Sequence, residues 1–353
     1  MTPVSPFFIV GSERSGTTLL MAILGEHRRL AVPEVAWYYP RFRPYLHTYG
    51  DLRDPALFRT LLSEMIFGLK HPFWGLPLNP RTIVDELCAR TRAPRFPEIY
   101  RAMLTLYAEH ADKPRWGEKT PYNVFFVEEI AADFPDAVFL HIIRDGRDVA
   151  AEQLRSDFGP RTVYAAAQLW KQTLNAGDRG RAVAPNRWLD ISYERLVSAP
   201  EAELRRVLTF LNERFDPAVL SPFGPDHPIA TTFVGIHRAY LSSYDQSVFV
   251  GVADATLRQH GYEVKERPIL LDEAAVAREL ELDGRIRAAT LDGPGGHIEY
   301  ESYNDWLIEQ REQRRLQGIW SGSSEMTWED ELRSGQRAPR RWKRHFGIRP
   351  RFA

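Results

Sequence analysis

The sequence predicts an α/β fold, a parallel β-sheet covered by helices on both faces. Three observations lead there. Phe7–Val10 is a short aromatic and β-branched run that ends at Gly11, opens a glycine-bracketed loop and gives way to a helical pattern. Ala137–Ile143, reading AVFLHII, is continuously apolar, as expected of a parallel strand buried on both faces. Around these two runs, strand-like and helix-like segments alternate to about residue 211.

The elements follow in order. After the Phe7–Val10 strand, Thr17–Glu26 reads as a helix. Residues 37–113 are rich in aromatics and prolines, with amphipathic patterns near 56–68, 82–91 and 98–110, and are expected to form an inserted helical lobe. Tyr122–Asp133 reads as a helix that Pro135 ends. Past the AVFLHII strand, Gly146–Arg155 and Val163–Ala176 read as helices, Arg187–Ile191 as a short strand and Pro200–Leu211 as an amphipathic helix. Beyond about residue 220 the pattern weakens. LDGPGG at 291–296 is a turn, and residues 297–353, acidic and aromatic at first and basic at the end, are expected to form a C-terminal lid or tail.

The chain has 353 residues, 44% of them hydrophobic, which suits a sizeable core and one large domain spanning 1–353. A formal net charge of −1 supplies no global field to attract nucleic acid, and no nucleic-acid partner is expected. The single cysteine, Cys88, excludes an intramolecular disulfide framework and reads as a small core residue. The ten histidines form no metal-ligand pattern, so no metal is expected. The N-terminal apolar run is too short for a signal peptide and no stretch approaches a membrane span, so a cytoplasmic protein is expected.

Four segments carry chemistry. The first is GSERSGTT, residues 11–18. A strand, a loop bracketed by Gly11 and Gly16, and a helix aim successive backbone N–H groups into a concavity at a helix N-terminus, which binds anions. Ser15, Thr17 and Thr18 add hydroxyls, and Arg14 adds a fixed charge inside the loop. Thr17 stands where nucleotide-triphosphate enzymes carry the loop lysine. The second is HIIRDGRDVAAEQLRS, 141–156, which places Arg144 at a strand's carboxyl end, where α/β sheets bind ligands. In isolation, Arg144 reads first as a surface arginine paired with Asp145 or Asp148. The third is WGEKTPYN, 116–123, with Lys119 at the mouth of a helix, either an anion contact or a solvated lysine. The fourth is RSGQRAPRRWKRHFG, 333–347, where Arg333, Ser334 and Gly335 offer a side chain, a hydroxyl and a backbone N–H to a phosphate.

Together these segments resemble a sulfotransferase that uses 3′-phosphoadenosine-5′-phosphosulfate (PAPS). Arg14-Ser15-Gly16-Thr17-Thr18 is similar to the family's 5′-phosphosulfate loop, in the arginine form of the protein-tyrosine sulfotransferases and many bacterial members. The strand ending in Arg144 resembles the 3′-phosphate segment, and Tyr193 matches a family tyrosine near the adenine. The tail resembles the cytosolic enzymes' RKGxxGDWKNHF motif through Arg333, Gly335, Trp342-Lys343 and His345-Phe346, with two extra residues between the halves. The resemblance runs with gaps from Phe7 to about Leu211 and resumes in the tail.

The resemblance implies a P-loop-NTPase-like parallel sheet of about five strands, flanked by helices, with the helical insertion and C-terminal lid. It implies PAPS as co-substrate, no metal, and transfer of a sulfuryl group to a hydroxyl or amine of a small molecule, glycan, lipid or tyrosine. Arg14 and Lys119 would meet the leaving oxygen. Glu34, in LAVPEVAWYY, would stand for the glutamate base of the tyrosine-sulfating branch, since the KTH histidine of cytosolic members is replaced by Pro121. Apart from the resemblance, Trp37, Tyr38, Tyr39, Tyr45 and Trp74 read as an aromatic-walled acceptor pocket or equally as the packed interior of the helical lobe. One departure is marked: the serine usually found eight residues after the 3′-phosphate arginine is Glu152. Either the helix turns Glu152 away and Arg155, Arg333 and Ser334 hold the phosphate, or the donor differs. Two other readings stay open: a nucleotide-dependent phosphotransferase, and a nucleotide- or polyanion-binding protein without turnover.

Overall fold

The computed structural model describes residues 5–69, 72–76, 78–91, 94–156, 159–224, 229–291 and 298–321. Five strands form one sheet: β1 (Phe7–Gly11), β2 (Leu30–Ala31), β3 (Arg115–Lys119), β4 (Val138–Ile143) and β5 (Trp188–Ser192). Their order is β2-β3-β1-β4-β5, and every pairing is parallel. All five carboxyl ends therefore meet at one rim.

The helices of the described residues, in chain order, are α1 (Thr17–Gly25), α2 (Tyr38–Arg41), α3 (Pro55–Phe67), α4 (Pro80–Arg90), α5 (Phe96–His110), α6 (Val127–Asp133), α7 (Gly146–Gln153), α8 (Val163–Val183), α9 (Tyr193–Ser198), α10 (Pro200–Phe210), α11 (His237–Tyr240), α12 (Ser243–Gln259), α13 (Glu273–Leu291) and α14 (Ile298–Leu316). Among the described residues no helix is long and apolar enough to cross a membrane.

The pleat sorts β1 between two cores. Phe8 and Val10 face the helical lobe, packing with Phe139, Tyr100 and Phe134, while Phe7 and Ile9 face α1 and α10 with Leu140, Ile142 and Leu204. Each such fully buried side chain contributes roughly 1.5–3 kcal/mol. A third core joins α7, α8 and α12 through Val149, Trp170 and Phe249.

The lobe forms as its sequence dictates. Asp54 and Asn79 cap α3 and α4, accepting from Ala56 N at 2.8 Å and Arg81 N at 2.9 Å, and proline opens each helix. On α5, Phe96, Ile99, Tyr100, Met103 and Leu104 keep helical spacing and all turn inward. The segment expected as one helix over 122–133 divides into a 3-10 turn, Pro121–Phe126, and α6. The tighter turn follows Pro121 and lets Asn123 and Phe126, three residues apart, both reach the interior.

β3 is polar yet wholly buried, and its sequence, RWGEK, carries no strand signal. Its charges are met individually. Arg115 donates to Ser5 O at 2.7 Å and to Leu211 O, and pairs with Glu213 at 3.3 Å. Beyond residue 220, where the sequence pattern weakens, the described residues form α11 to α14. The described part of the expected lid packs against the lobe: Tyr303 Oη donates to Glu64 O at 2.6 Å, and Arg314 Nη1 meets Glu64 Oε1 at 2.6 Å, both buried.

Candidate functional site

Because the strands are parallel, each delivers one candidate group to the carboxyl rim. β1 runs into the glycine loop, β3 ends at Lys119, β4 precedes Arg144, β5 precedes Tyr193, and Glu34 lies three residues past β2. This is the crevice side on which open α/β sheets place ligands.

The loop is shaped by two glycines. At Gly11, φ is 151°, and an added Cβ would lie 2.6 Å from Ile142 O on β4. At Gly16, φ is 93°, and a Cβ would meet the Tyr193 ring at 2.5 Å. Between them Arg14 holds a left-handed backbone, φ 66°, and Ser15 N donates to Ser12 O at 3.2 Å. Gly16 caps α1 without a side-chain hydrogen bond. The first N–H groups of a helix have no acceptor within it, so the positive end of α1 opens onto the loop. Ser15 is buried and its Oγ has no partner among the described residues. Thr17 is buried beside it, whereas Thr18 is exposed.

Arg144 is only 2% exposed. Its Nη1 donates to Arg14 O at 2.8 Å and to Glu152 Oε1 at 2.7 Å, and its Nη2 donates to Phe233 O at 2.5 Å. The guanidinium lies 4.5 Å from the Tyr193 ring centroid, and its Nε is buried without a partner among the described residues. Neither Asp145 nor Asp148 neutralises it. Asp145 caps α7 and binds Arg147 at 2.8 Å, while Asp148 takes His237 Nδ1 at 2.5 Å and Gly235 N at 2.7 Å. The reading of Arg144 as a surface arginine paired to these aspartates is thereby corrected.

Glu152 is not turned away from the rim. Its second oxygen, Oε2, takes Arg14 Nη2 at 2.9 Å, so one carboxylate bridges Arg14 and Arg144. Eight residues after Arg144, about two helical turns, α7 brings residue 152 back over the same strand end. Arg155, two residues past α7, instead stacks on the exposed Tyr240 ring at 3.7 Å.

Lys119 is the last residue of β3 rather than a solvated lysine before a helix. It is 5% exposed, and its Nζ donates to Thr18 Oγ1 at 3.4 Å. The pleat sends the preceding Glu118 to the opposite face, under the lobe. There it accepts from Thr120 Oγ1 and, at 2.9 Å, from Asn123 Nδ2. Burial pushes the Glu118 carboxyl up to about 7, against the pull of those hydrogen bonds and of Lys119. Sequence reasoning passed over Glu118; the available signal was a carboxylate beside Lys119 in an otherwise tightly packed GEKT run.

Glu34 is half-buried. It lies near Tyr107, whose hydroxyl is pushed up first by burial and then by the Glu34 charge. The Tyr107 ring meets Trp74 at 5.4 Å, and Trp37 meets Tyr122 at 5.5 Å. The expected aromatic pocket is narrower than the sequence implied: Tyr38, Tyr39 and Tyr45 are core residues, leaving Trp37 and Trp74 partly accessible. Arg333, Ser334 and Gly335 lie outside the described residues.

The chain resembles known proteins in the same region. A family model described as the sulfotransferase family matches residues 6–217. An omega-hydroxy-beta-dihydromenaquinone-9 sulfotransferase of Mycobacterium tuberculosis is 27% identical over 244 residues, 58% of this chain and 62% of that protein. A protein-tyrosine sulfotransferase of Drosophila melanogaster is 26% identical over 220 residues, 60% of this chain and 39% of that protein. The chain thus spans less than two thirds of the length of these curated relatives. The sulfotransferase domain from the olefin synthase of Synechococcus PCC 7002 shares the fold, with a TM-score of 0.53 at 21% identity over 75% of this chain and 97% of that one. With a match that takes in β1, its loop and every other strand of the sheet, the chain belongs to the sulfotransferase family.

Proposed function

We propose that the protein transfers a sulfuryl group from PAPS to a hydroxyl, or less readily an amine, of a small-molecule, glycan, lipid or tyrosine acceptor. The observation that carries this reading is the convergence of an anion-binding loop, Lys119 and Arg144 on one strand rim. The residues suit the donor. The N-terminal turn of α1 and the unpartnered Ser15 Oγ provide donors for a 5′-phosphate, and the unpartnered Nε of buried Arg144 provides one for a 3′-phosphate. One relative is named for an omega-hydroxy substrate and another for tyrosine, and both names fit a hydroxyl acceptor.

In this scheme the donor supplies an activated sulfuryl group. The acceptor oxygen forms a bond to sulfur as the bond from sulfur to the bridging phosphate oxygen breaks. Glu34 receives the acceptor's proton. Negative charge builds on the departing oxygen, where Lys119 and Arg14 are poised to meet it. Tyr193, fixed against Gly16 and Arg144, forms the wall on the nucleoside side. Residues 333–335 are proposed as a further 3′-phosphate contact.

Calorimetric titration with PAPS, adenosine 3′,5′-bisphosphate and ATP tests the reading, together with label transfer from sulfur-35 PAPS to phenol, sugar and fatty-alcohol acceptors. The bisphosphate should bind without a divalent cation and ATP should bind far more weakly. Magnesium-dependent ATP binding without bisphosphate binding would favour the phosphotransferase. Tight bisphosphate binding with no transfer to any acceptor would favour the non-turnover reading, which the bridging of Arg14 and Arg144 by Glu152 also supports.

A further inference from the structure

Among the described residues, Glu152 is the carboxylate that closes on both arginines of the rim. Its two oxygens are divided between them, at 2.7 Å to Arg144 and 2.9 Å to Arg14. The two arginines differ. Arg14 is 38% exposed and can swing into solvent, whereas Arg144 is buried and held by the carbonyls of Arg14 and Phe233 as well. A phosphate arriving at Arg144 therefore meets a cation already neutralised, and a carboxylate with little room to leave, since Glu152 is 13% exposed.

We propose that Glu152 is an internal counter-ion that a 3′-phosphate must displace, and that it sets how strongly this protein distinguishes 3′-phosphorylated from unphosphorylated adenine nucleotides. The inference rests on the reading above in which Arg144 takes the 3′-phosphate. Two effects act in the same direction. The phosphate competes with Glu152 for Arg144, and, once bound, it lies within a few ångströms of a displaced like charge in a partly desolvated crevice, where such repulsion is large. A 5′-phosphate avoids most of this cost, because it is held by the α1 terminus and by an arginine that can move.

The test is Glu152→Gln, titrated by calorimetry with adenosine 3′,5′-bisphosphate and with adenosine 5′-monophosphate. Gln keeps the size and one acceptor oxygen, and Arg144 retains two carbonyl partners, so the variant should fold; thermal melts check this. Affinity for the bisphosphate should rise at least about tenfold, and affinity for the monophosphate by less than about threefold. Glu152→Asp, which keeps the charge, should leave the bisphosphate affinity within about threefold of wild type. If Glu152→Gln does not fold, Glu152→Ser is titrated in its place with the same expectation.

An unchanged bisphosphate affinity, an equal gain for both nucleotides, or an Asp variant that behaves like the Gln variant would each overturn the proposal while leaving the sulfotransferase reading intact. If neither wild type nor variant binds any adenine nucleotide, the functional reading falls and this inference falls with it.

Discussion

Arg14 occupies a left-handed backbone position in the loop and keeps its side chain partly in solvent, so its charge lies outside the core, where the proposed transfer would use it. Replacing it by alanine should leave the melting temperature nearly unchanged and lower sulfuryl transfer by about 10²–10³, the usual loss for one charge-assisted contact to a transition state. A variant keeping half of the wild-type rate in the sulfur-35 assay would remove Arg14 from the mechanism. Glu34→Gln keeps side-chain size and hydrogen-bonding reach but cannot accept a proton. Turnover should fall by about 10²–10⁴ while bisphosphate affinity, read by calorimetry, stays the same. An unchanged rate with a high-pKa alcohol would make Glu34 a bystander. At this scale the sequence told residue type better than surroundings. Arg14 and Ser15 were legible because a glycine-bracketed loop has few other uses. The partners of Arg144 were not, since two aspartates one and four residues away fitted as well on paper as the Glu152 that binds it. Their prior claims, Arg147 and His237, come from tertiary packing.

The strand-loop-helix of β1 and α1 was readable because backbone chemistry dictates it: an apolar run, then glycines where the chain must bend sharply. β4 and β5 were readable for the same reason, as short runs with apolar content. β3 was not, because RWGEK is buried through specific partners rather than through hydrophobicity, and hydrophobic patterning is blind to such a strand. α12 is a different kind of omission. Ser242 and Asp245 form a capping box, and Val248, Phe249, Ala253 and Leu257 then bury one face, so the signal was present in the sequence and outweighed by the polar residues around it. The glycine loop offers the sharpest test of an element. Gly16→Ala combines a left-handed φ with a Cβ driven into the Tyr193 ring. The strain alone should cost about 1–2 kcal/mol, and moving Tyr193 would disturb its stacking on Arg144. We expect a melting temperature lowered by several degrees and bisphosphate affinity reduced at least about tenfold. Wild-type affinity in a folded Gly16→Ala protein would show that the nucleotide does not use this loop conformation.

At the scale of the whole molecule, the sheet and the helical lobe share one interface, and Glu118 lies within it. It is fully enclosed on the lobe side of β3, with Thr120 and Asn123 as donors. The lobe is held in turn by α14, where Arg314 and Tyr303 close on Glu64. An acid buried at such a joint makes stability depend on pH in a definite direction. The Glu118 carboxyl titrates near 4.5 in an unfolded chain and is raised to about 7 here, chiefly by burial. Below the unfolded value both states hold the proton and the burial costs little. As pH rises from about 4.5 toward 7 the unfolded state releases its proton and the folded state does not, so stability falls across that window and levels off above the folded value. A difference of this size corresponds to about 3 kcal/mol. Glu118→Gln removes the titration while keeping the side-chain size and an oxygen that can still accept from Asn123 Nδ2 or Thr120 Oγ1. Urea unfolding of both proteins at pH 5, 6, 7 and 8 isolates the effect, because every other titrating group contributes equally to each. The stability of wild type relative to Glu118→Gln should decline from pH 5 to 7, by about 3 kcal/mol at most, and then level off toward pH 8. A difference between the two proteins that stays constant with pH would mean that Glu118 ionises freely, and that water reaches the joint between sheet and lobe.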